Sequence, residues 1–488
     1  MLQRDGTVPT PIILAIIGLG AFSTALDQTV VVTALPSVML DLKVPIAELD
    51  RVSWIITAYL LGYTVAMPLI GRVGDVYGYA RVYQASLVVF CAGTCLVAVS
   101  ANLEWMVGAR VIQAVGGGAT VPIGMALAMT MVPRGQRGLA LGIVGASAEA
   151  GSMLGPAYGG AIVEMLSWRW IFWLNVPQAA VIFLALMWLP NRPAAGTRVD
   201  YMGGVLLVGA LLVLSLALSR SSLFTLDSPY PFLLAGAGVG LVAALVIVEA
   251  RTLQPLLSPL LFRSWAFLSS NLTQVMVGVA LIIAMVTVPL MANTVMGKSP
   301  FTGALWLLRL TGAIPVGAVI GGLLVTRLGS SPLTVAGLAL VGLGMFLASG
   351  WELGVGDPEL TVHLLIAGFG FGLVIAPITF HALESAGDDY RGTAASLVVV
   401  SRMMGMTLGL AALSAWGVSE FQGLTAGLEF PLPLPGEPAG AAEVRAAEYT
   451  SGLNDAGLEL FRKFFLSATV ISIAAIVPAL AMSRRQST

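Results

Sequence analysis

"GASAEAGSMLGPAYGG", residues 145–160, consists of small and apolar residues around a single carboxylate, Glu149. The apolar pattern continues on both sides, from 138 to 163, without another charged side chain. A run of about 20 such residues is long enough to cross the hydrocarbon core of a bilayer as a helix. The stretch therefore predicts a membrane helix whose acidic group needs a partner or a function.

The composition of the whole chain agrees with a membrane protein. Of 488 residues, 57% are hydrophobic and 10% are charged, and the mean hydropathy is +0.92. Soluble domains carry about 25% charged residues. The apolar runs approach 20 residues instead of alternating over ten, which favours helices over a β-barrel. A soluble enzyme is excluded, and the net charge of −1 argues against a nucleic-acid partner.

Fourteen apolar segments predict fourteen transmembrane helices, at 11–35, 53–70, 82–100, 104–130, 138–163, 169–189, 201–219, 231–248, 266–291, 301–326, 332–350, 361–383, 392–416 and 464–482. An even number places both termini on the same side of the membrane. With both termini inside, 13 of the 24 Lys and Arg residues lie inside and 8 lie outside. Because basic residues favour the cytoplasmic side, the chain is expected to have both ends in the cytoplasm.

Two similar octapeptides suggest an internal duplication. "GRVGDVYG" at 71–78 and "GLLVTRLG" at 322–329 have glycine at the first and eighth positions, and both are expected in the loop after a helix. Glycine pairs are common in short loops, so the similarity alone is a weak indication. Together with the helix count it predicts a six-helix bundle at 1–190, two extra helices at 191–263, and a second bundle at 264–488.

The connection at 417–463 is much longer than the others. Its centre, "EFPLPLPGEPAG", must turn or be irregular, whereas the residues on either side have the pattern of helices. We therefore expect the last two helices to project beyond the outer surface of the membrane. A disordered loop is the alternative.

Several motifs resemble those of the major facilitator superfamily, and specifically its fourteen-helix drug:proton antiporters. They are the helix-1 signature, the motif after helix 2, the helix-4 motif, the antiporter motif and the stretch that follows it: "LDQTVVVTALP" at 26–36, "GRVGDVYGYAR" at 71–81, "RVIQAVGGGA" at 110–119, "GSMLGPAYGG" at 151–160 and "WRWIFWLNVP" at 168–177. The resemblance implies an all-α integral membrane protein with two six-helix bundles and two inserted linker helices.

Three longer stretches, 54–72, 148–159 and 398–417, resemble the mycobacterial-type exporters of triacylglycerol and related lipids. This resemblance implies a monomeric, proton-coupled exporter of hydrophobic or amphipathic molecules in a bacterial inner membrane, with protons as the coupling ion and no other cofactor. It also implies a periplasmic or extracellular lipid-binding lipoprotein as a partner at 417–463. Broad multidrug efflux is one alternative. A passive lipid flippase or lipoprotein-docking scaffold is another.

Five ionised side chains lie well inside apolar segments: Asp27, Arg110, Glu149, Arg309 and Arg402. Each costs roughly 2.5–3.5 kcal/mol to bury in a bilayer, so each should face the protein interior and be paired. Counted from the ends of their segments, Glu149 and Arg402 fall near the midplane, where coupling ions usually bind.

We hypothesise that Glu149 carries the coupling proton and that Asp27 pairs with Arg402 across a central cavity. In the related exporters the residues that match Asp27, Glu149 and Arg402 are functionally central. The alternative is a permanent, structural pair between Glu149 and Arg402. Arg110, which the resemblance links to proton coupling, could instead bind backbone carbonyls. Arg309 matches no motif and is left out of the mechanism.

The resemblance assigns conformational gating to the motif after helix 2, with Asp75 and Arg81 and with glycines at Gly71 and Gly78. Asp75 should contact the start of the thirteenth helix, near 391–393, and hold the outward-facing state. The chain departs from the family here, because Tyr79-Ala80 replaces the usual Arg-Lys pair, and Ala114 replaces a glycine in helix 4. The antiporter motif supplies a stripe of small residues and a helix bend, through Gly151, Gly155, Pro156, Gly159 and Gly160.

An enzyme is the least expected function. The sequence has no recognisable nucleophile–base set, no metal-ligand cluster and no phosphate-binding loop.

Overall fold

The computed structural model describes residues 9–45, 48–191, 199–218, 229–252, 255, 259–430 and 441–482. All regular elements in this part of the chain are helices. Apart from two short helices, Leu49–Val52 and Pro259–Arg263, and the 3-10 turns Arg134–Gln136 and Asp388–Tyr390, they are labelled in chain order: α1 (Thr10–Asp41), α2 (Trp54–Tyr77), α3 (Tyr79–Ala98), α4 (Leu103–Gly118), α5 (Thr120–Met131), α6 (Arg137–Met165), α7 (Trp168–Trp173), α8 (Asn175–Leu186), α9 (Tyr201–Leu218), α10 (Tyr230–Glu249), α11 (Trp265–Thr294), α12 (Pro300–Leu328), α13 (Ser330–Ala348), α14 (Asp357–Ala386), α15 (Arg391–Thr425), α16 (Ala441–Ala474) and α17 (Ile476–Ala481).

Every predicted apolar segment corresponds to a helix or to a pair of consecutive helices. Within the described residues, 13 helical stretches are long and apolar enough to cross a membrane. Three of them combine neighbouring helices: α4 with α5, α7 with α8, and α16 with α17. The apolar part of α9, Tyr201–Ala217, is slightly shorter than the others. The fourteenth span, the orientation of the termini and the bundle boundaries at 190 and 263 stay predictions.

The expectation that 71–78 and 322–329 form loops is wrong. Helix α2 continues to Tyr77 and α12 to Leu328, and each ends at the last glycine of its octapeptide. Gly78 and Gly329 have φ angles of +93° and +85°, a conformation that glycine adopts without strain.

The first glycine of each octapeptide lies inside a helix and allows a neighbouring helix to pack closely, and it does not form a turn. A Cβ atom added to Gly71 would lie 2.5 Å from the carbonyl oxygen of Gly392, and one added to Gly322 would lie 2.5 Å from that of Gly138. The two octapeptides therefore place equivalent glycines against the starts of α15 and α6. Glycine in the sequence predicted a break in the helix, but here it permits the close approach of two helices.

The described helices share two large apolar cores. One lies mainly among α1–α8 and is joined by the start of α15; its fully buried members include Tyr83, Phe90 and Ile123. The other lies among α11–α17 and includes Leu364 and Phe465. A smaller apolar cluster, which includes Leu26, Ile55 and Met106, lies among α1, α2, α3, α4 and α7.

Helices α15 and α16 contain 35 and 34 residues. At 1.5 Å per residue each is about 50 Å long, which exceeds the roughly 30 Å hydrocarbon thickness of a bilayer. The prediction of helices on both sides of the proline-rich segment is confirmed, and α16 begins at Ala441, well before the predicted start at 464. Residues 431–440 lie outside the described residues.

Contacts between α15 and α16 join the two helices where their projecting parts begin. The Lys463 ammonium lies 2.6 Å from a carboxylate oxygen of Glu420, and the rings of Trp416 and Phe464 are 5.4 Å apart. We call the parts of these helices beyond 417 and before 463 the extension. The C-terminal end of α2, which carries Asp75, and the N-terminal end of α15 lie on the opposite, predicted cytoplasmic side of the molecule. We call this side the latch end.

Candidate coupling site and latch

The carboxylate of Glu149 has a cationic partner from a distant part of the chain. Arg402 Nη1 on α15 donates a hydrogen bond to Glu149 Oε1 on α6 at 2.6 Å. The two side chains are 15% and 17% exposed, so the pair is mostly but not completely enclosed. Since α6 and α15 belong to different predicted bundles, this ion pair bridges the two halves of the molecule.

The predicted pairing of Asp27 with Arg402 is wrong. Asp27 Oδ2 instead accepts a hydrogen bond from Arg110 Nη1 of α4 at 3.0 Å, and neither side chain is exposed. The sequence predicts how deep in the membrane a residue of a helix lies. It predicts less well the direction in which the side chain points around the helix axis. Asp27 faces α4 and α8 inside its own bundle, away from α15.

Two amide side chains complete the environment of Asp27. Gln113 Nε2 and Asn175 Nδ2 donate to Asp27 Oδ1 at 3.1 and 2.7 Å. Gln113 also accepts from Arg110 Nη1 at 2.7 Å and donates to Thr94 Oγ1 at 2.9 Å. Both amides are 3% exposed or less, so the carboxylate lies in a closed polar network.

Sequence reasoning assigned no role to Gln113 or Asn175. Gln113 is in the quoted helix-4 motif, three residues after Arg110 and so on the same helix face, which was an available signal. Asn175 carried a weaker signal. It starts α8 directly after the interruption at Leu174, and that position directs its amide toward α1.

Arg110 binds a backbone carbonyl, which was the alternative left open by the sequence, and its role in proton coupling stays a prediction. Besides Asp27, its Nε donates to the carbonyl oxygen of Ile55 at 3.4 Å. Its guanidinium carbon also lies 3.9 Å from the centre of the Tyr59 ring. Arg110 thereby connects α1, α2 and α4 within one bundle.

Asp75 lies at the start of α15, where it accepts several hydrogen bonds. The backbone N–H groups of Gly392 and Thr393 donate to its two carboxylate oxygens at 2.6 and 3.0 Å, and the Thr393 hydroxyl donates at 2.6 Å. The first N–H groups of a helix lack partners within the helix and carry a partial positive charge, so a carboxylate is favoured there. The expected contact with 391–393 is thus present, and its gating role stays a prediction.

Tyr79, which stands where the family motif has an arginine, contributes to the cluster around Asp75. We call this cluster of Asp75, Tyr79, Gly392 and Thr393 the latch. The hydroxyl of Tyr79 donates to Asp75 Oδ1 at 2.7 Å. Among the described contacts, Arg81 takes no part in this cluster; its backbone N–H donates to Asn191 Oδ1 at 3.2 Å.

The molecule is closed at the latch end. Besides Gly71 against Gly392, a Cβ atom on Gly138 of α6 would lie 2.6 Å from the carbonyl oxygen of Gly322 on α12. Almost all residues of α15 from 391 to 400 are buried, whereas most from 401 to 408 are half-buried. The two halves are therefore in tighter contact at the latch than at the level of Arg402.

The antiporter motif packs α6 against α1. A Cβ atom at Gly151, Gly155 or Gly159 would collide with atoms of α1, whereas one at Gly160 would meet no heavy atom of another described helix within 4 Å. Pro156 lies inside α6 and is exposed. Three of the five motif residues thus form the small-residue stripe.

Arg309 also has an acidic partner. Its Nη1 lies 2.7 Å from Asp357 Oδ1 and 2.6 Å from the Thr361 hydroxyl at the start of α14.

Comparison with known proteins identifies the family. The sequence profile described as Major Facilitator Superfamily matches residues 17–410. The chain belongs to the major facilitator superfamily. It is therefore a multi-pass integral membrane protein with the fold of a transporter, and its relatives indicate a transporter and not an enzyme.

Curated relatives are named as triacylglyceride transporters. The chain is 39% identical to one from Mycolicibacterium hassiacum, over 83% of this chain and 78% of the relative. It is 34% identical to the triacylglyceride transporter of Mycobacterium tuberculosis, over 95% of this chain and 92% of the relative. A probable triacylglyceride transporter of Mycobacterium leprae is also 34% identical, over 95% and 94% of the two chains.

Solved structures of distant members have the same fold. The human organic anion transporter MFSD10 aligns with a TM-score of 0.60 at 14% identity, over 95% of this chain and 99% of that chain. The proton:xylose symporter XylE aligns with a TM-score of 0.59 at 13% identity, over 94% of both chains. At such low identity these similarities establish the fold alone.

Proposed function

We propose that the protein is a proton-coupled exporter of lipids such as triacylglycerol, acting by alternating access in a bacterial inner membrane. The observation that carries this proposal is the ion pair between Glu149 and Arg402, which links α6 to α15. Both residues are predicted to lie near the midplane of the membrane. The names of the relatives support the class of cargo.

The ion pair couples protonation to conformation through its position. Opening the molecule at the latch end requires relative movement of α6 and α15, and so changes the distance between Glu149 and Arg402. A proton on Glu149 removes the charge that holds Arg402, which weakens the pair. Each proton that moves inward across the membrane supplies about 2.3 kcal/mol per 100 mV, and this drives the export of a neutral lipid.

Asp27 and Arg110 have a supporting role in this proposal. Their network is closed to solvent and lies within one bundle, so it holds α1, α4 and α8 in place while the bundles move. The proton then needs only one exchange site, at Glu149.

The extension offers an apolar space that suits a lipid. A cavity of about 390 Å³ lies between the end of α11 and the extension, within the 300–1,000 Å³ range of ligand pockets. Leu290, Phe421, Leu460 and Phe461 are among the residues of its largely apolar wall. We propose that exported lipid passes this wall on its way to a lipid-binding lipoprotein docked at 417–463.

Transport into vesicles tests the proposal. Purified protein is reconstituted, a proton gradient is imposed, and the movement of a labelled triacylglycerol and of a lipophilic dye is followed. Gradient-driven transport is expected to fall at least about fivefold in Glu149→Gln. Fivefold corresponds to a coupling free energy of about 1 kcal/mol, the lower end of the typical range. The matched control is Glu164→Gln, which removes an exposed carboxylate from the same helix and should change little.

Three outcomes contradict the proposal. If Glu149→Gln keeps full gradient-driven transport, the proton is carried elsewhere. If the dye moves and triacylglycerol does not, the protein is a multidrug exporter with a different cargo. Transport of lipid that ignores the gradient in the wild type indicates a passive flippase.

A further inference from the structure

A small cavity lies beside the ion pair. Its volume is about 20 Å³, and its wall comes from α5, α6, α11, α14 and α15. Most of the lining is apolar, and the polar exceptions are Glu149, Gln274, Thr379 and Arg402. A cavity holds a water molecule when it offers about 10–15 Å³ and two to four polar partners. This cavity therefore has room for one water molecule.

Gln274 is the unexplained residue in this wall. Its side chain is only 3% exposed, and its Oε1 atom has no hydrogen-bond partner within the described part of the chain. Leaving a buried acceptor unbonded costs about 1–3 kcal/mol. Arg402 Nε, a donor in the same wall, is also buried and unpartnered among the described residues.

The helices bring these two groups close together. A Cβ atom at Gly278, one helical turn after Gln274, would collide with the carbonyl oxygen of Arg402. Residues four apart lie on the same face of a helix, so Gln274 faces α15 beside Arg402. Thr379 donates its hydroxyl hydrogen to Ile375 O at 2.8 Å, so its oxygen is free to accept.

We propose that this cavity binds one water molecule, positioned by Gln274 and Arg402, and that Glu149 gains and loses its proton through it. The inference rests on the proposed function of Glu149. Arg402 Nε donates to the water, and the water donates to Gln274 Oε1 and to the Glu149 carboxylate. Gln274 is thus a positioning residue for proton transfer.

The proton balance is simple. A proton reaches the site as hydronium and passes to a Glu149 oxygen. One O–H bond breaks on the hydronium and one forms on the carboxyl group, and the water is left neutral. Release on the opposite side reverses the step.

Few ionisable groups act on this exchange. Arg402 faces Glu149 from α15, and Tyr63 on α2 is close enough to interact electrostatically with both. The side chains that α5, α11 and α14 contribute to the cavity wall are uncharged. A change of pH dependence in a variant of Gln274 therefore reports on the water site and not on another titrating neighbour in this wall.

The first experiment measures gradient-driven transport against pH for Gln274→Leu, which keeps the size of the side chain and removes the amide. We expect a loss of about fivefold to tenfold and a pH midpoint displaced by about one unit, the effect of one hydrogen bond to a charged site. Gln274→Asn keeps an amide and should recover at least half of the transport rate. The matched control is Thr287→Val on the same helix. It also removes a buried polar group without a described partner, in this case a hydroxyl that lies outside the cavity wall.

The second experiment detects the water directly. Infrared difference spectra of the reconstituted protein between high and low pH should contain a water O–H band that shifts in H₂¹⁸O and is lost in Gln274→Leu. If the band is the same in both proteins, or if Gln274→Leu keeps the wild-type pH profile while Glu149→Gln loses gradient-driven transport, the inference is overturned and the proposed function stands. If Glu149→Gln transports normally, the proposed function fails, and loss of the band in Gln274→Leu still identifies the water site.

Discussion

The two ion pairs in the middle of the molecule have the same chemistry and different surroundings. Asp27 and Arg110 come from one bundle, are not exposed, and have additional bonds to Gln113 and Asn175. Glu149 and Arg402 come from different predicted bundles, remain partly exposed, and border a water-sized cavity.

This difference indicates which pair can change. A charge held by several buried hydrogen bonds within a rigid unit resists both protonation and movement, because each lost partner leaves a buried group unpaired. A pair between two units has fewer supports and is separated when the units move. We infer that the first pair determines stability and that the second determines coupling.

The largest expected effect comes from breaking the pair within the bundle. Arg110→Leu leaves the Asp27 carboxylate without a cation in a fully buried site, which should lower the free energy of unfolding by about 3–5 kcal/mol. The thermal midpoint in detergent should fall clearly, whereas Glu149→Gln should change it much less. The check is a thermal unfolding curve for both variants.

A double variant makes this comparison sharper. Adding Asp27→Asn to Arg110→Leu removes the uncompensated charge, so part of the lost stability should return. An Arg110→Leu protein as stable as the wild type would show that the network around Asp27 does not hold the bundle together.

The next effect concerns transport instead of stability. Arg402→Ala removes the cation that Glu149 meets across the bundle interface, so protonation no longer follows the conformational change. Uphill export driven by a proton gradient should fall by about 5–150-fold, while downhill exchange of lipid persists. Both rates are measured in the same vesicles.

Arg309→Ala is the matched control for Arg402→Ala. Arg309 is also an arginine in an apolar helix of the second half, but it pairs with Asp357 at the start of α14. Its loss should leave the ratio of uphill to downhill transport within about twofold. Equal effects of both substitutions would mean that burial of a cation, and not its position between the bundles, governs coupling.

The contrast between the pairs also explains how far sequence reasoning reached. The depth of Glu149 and Arg402 in their apolar segments predicted central roles for both residues, and these roles stay predictions. The helical class and the apolar segments followed from composition, and the contact of Asp75 with the start of α15 followed from the resemblance to the family. The partner of Asp27 did not, because rotation of a helix about its axis depends on packing. Glycines such as Gly151 against α1 specify that packing only when the opposing helix is known.

Two features were beyond the sequence for another reason. In the sequence, Gln274 is one polar residue in an apolar helix, and its position becomes informative only when α11 and four other helices form a cavity. Comparison of Tyr79 with the family motif shows the loss of a basic residue. It does not show that the tyrosine hydroxyl can supply a hydrogen bond in place of the lost charge. In three dimensions its hydroxyl donates to Asp75.

The latch extends the comparison to a second interaction between the predicted bundles. Asp75→Asn replaces the charged acceptor of the bonds from Gly392 and Thr393, and hydrogen bonds to charged groups contribute about 1.5–3 kcal/mol. The population closed at the latch end should decrease by about tenfold or more, with little change in thermal stability. Distances between spin labels at the two latch-end helices measure this population. Thr326→Val, at the equivalent position of the second octapeptide, should leave the distances unchanged.

The smallest effect should come from Tyr79→Phe, which removes one of four hydrogen bonds to Asp75. We expect a shift of about 1 kcal/mol toward the state open at the latch, or roughly fivefold in population. Because the tyrosine acts through Asp75, adding Tyr79→Phe to Asp75→Asn should change the spin-label distances much less than Tyr79→Phe does alone, which a double-mutant cycle quantifies. Additive effects would place the action of Tyr79 elsewhere, and the latch would then depend on the carboxylate and the start of α15 without the tyrosine.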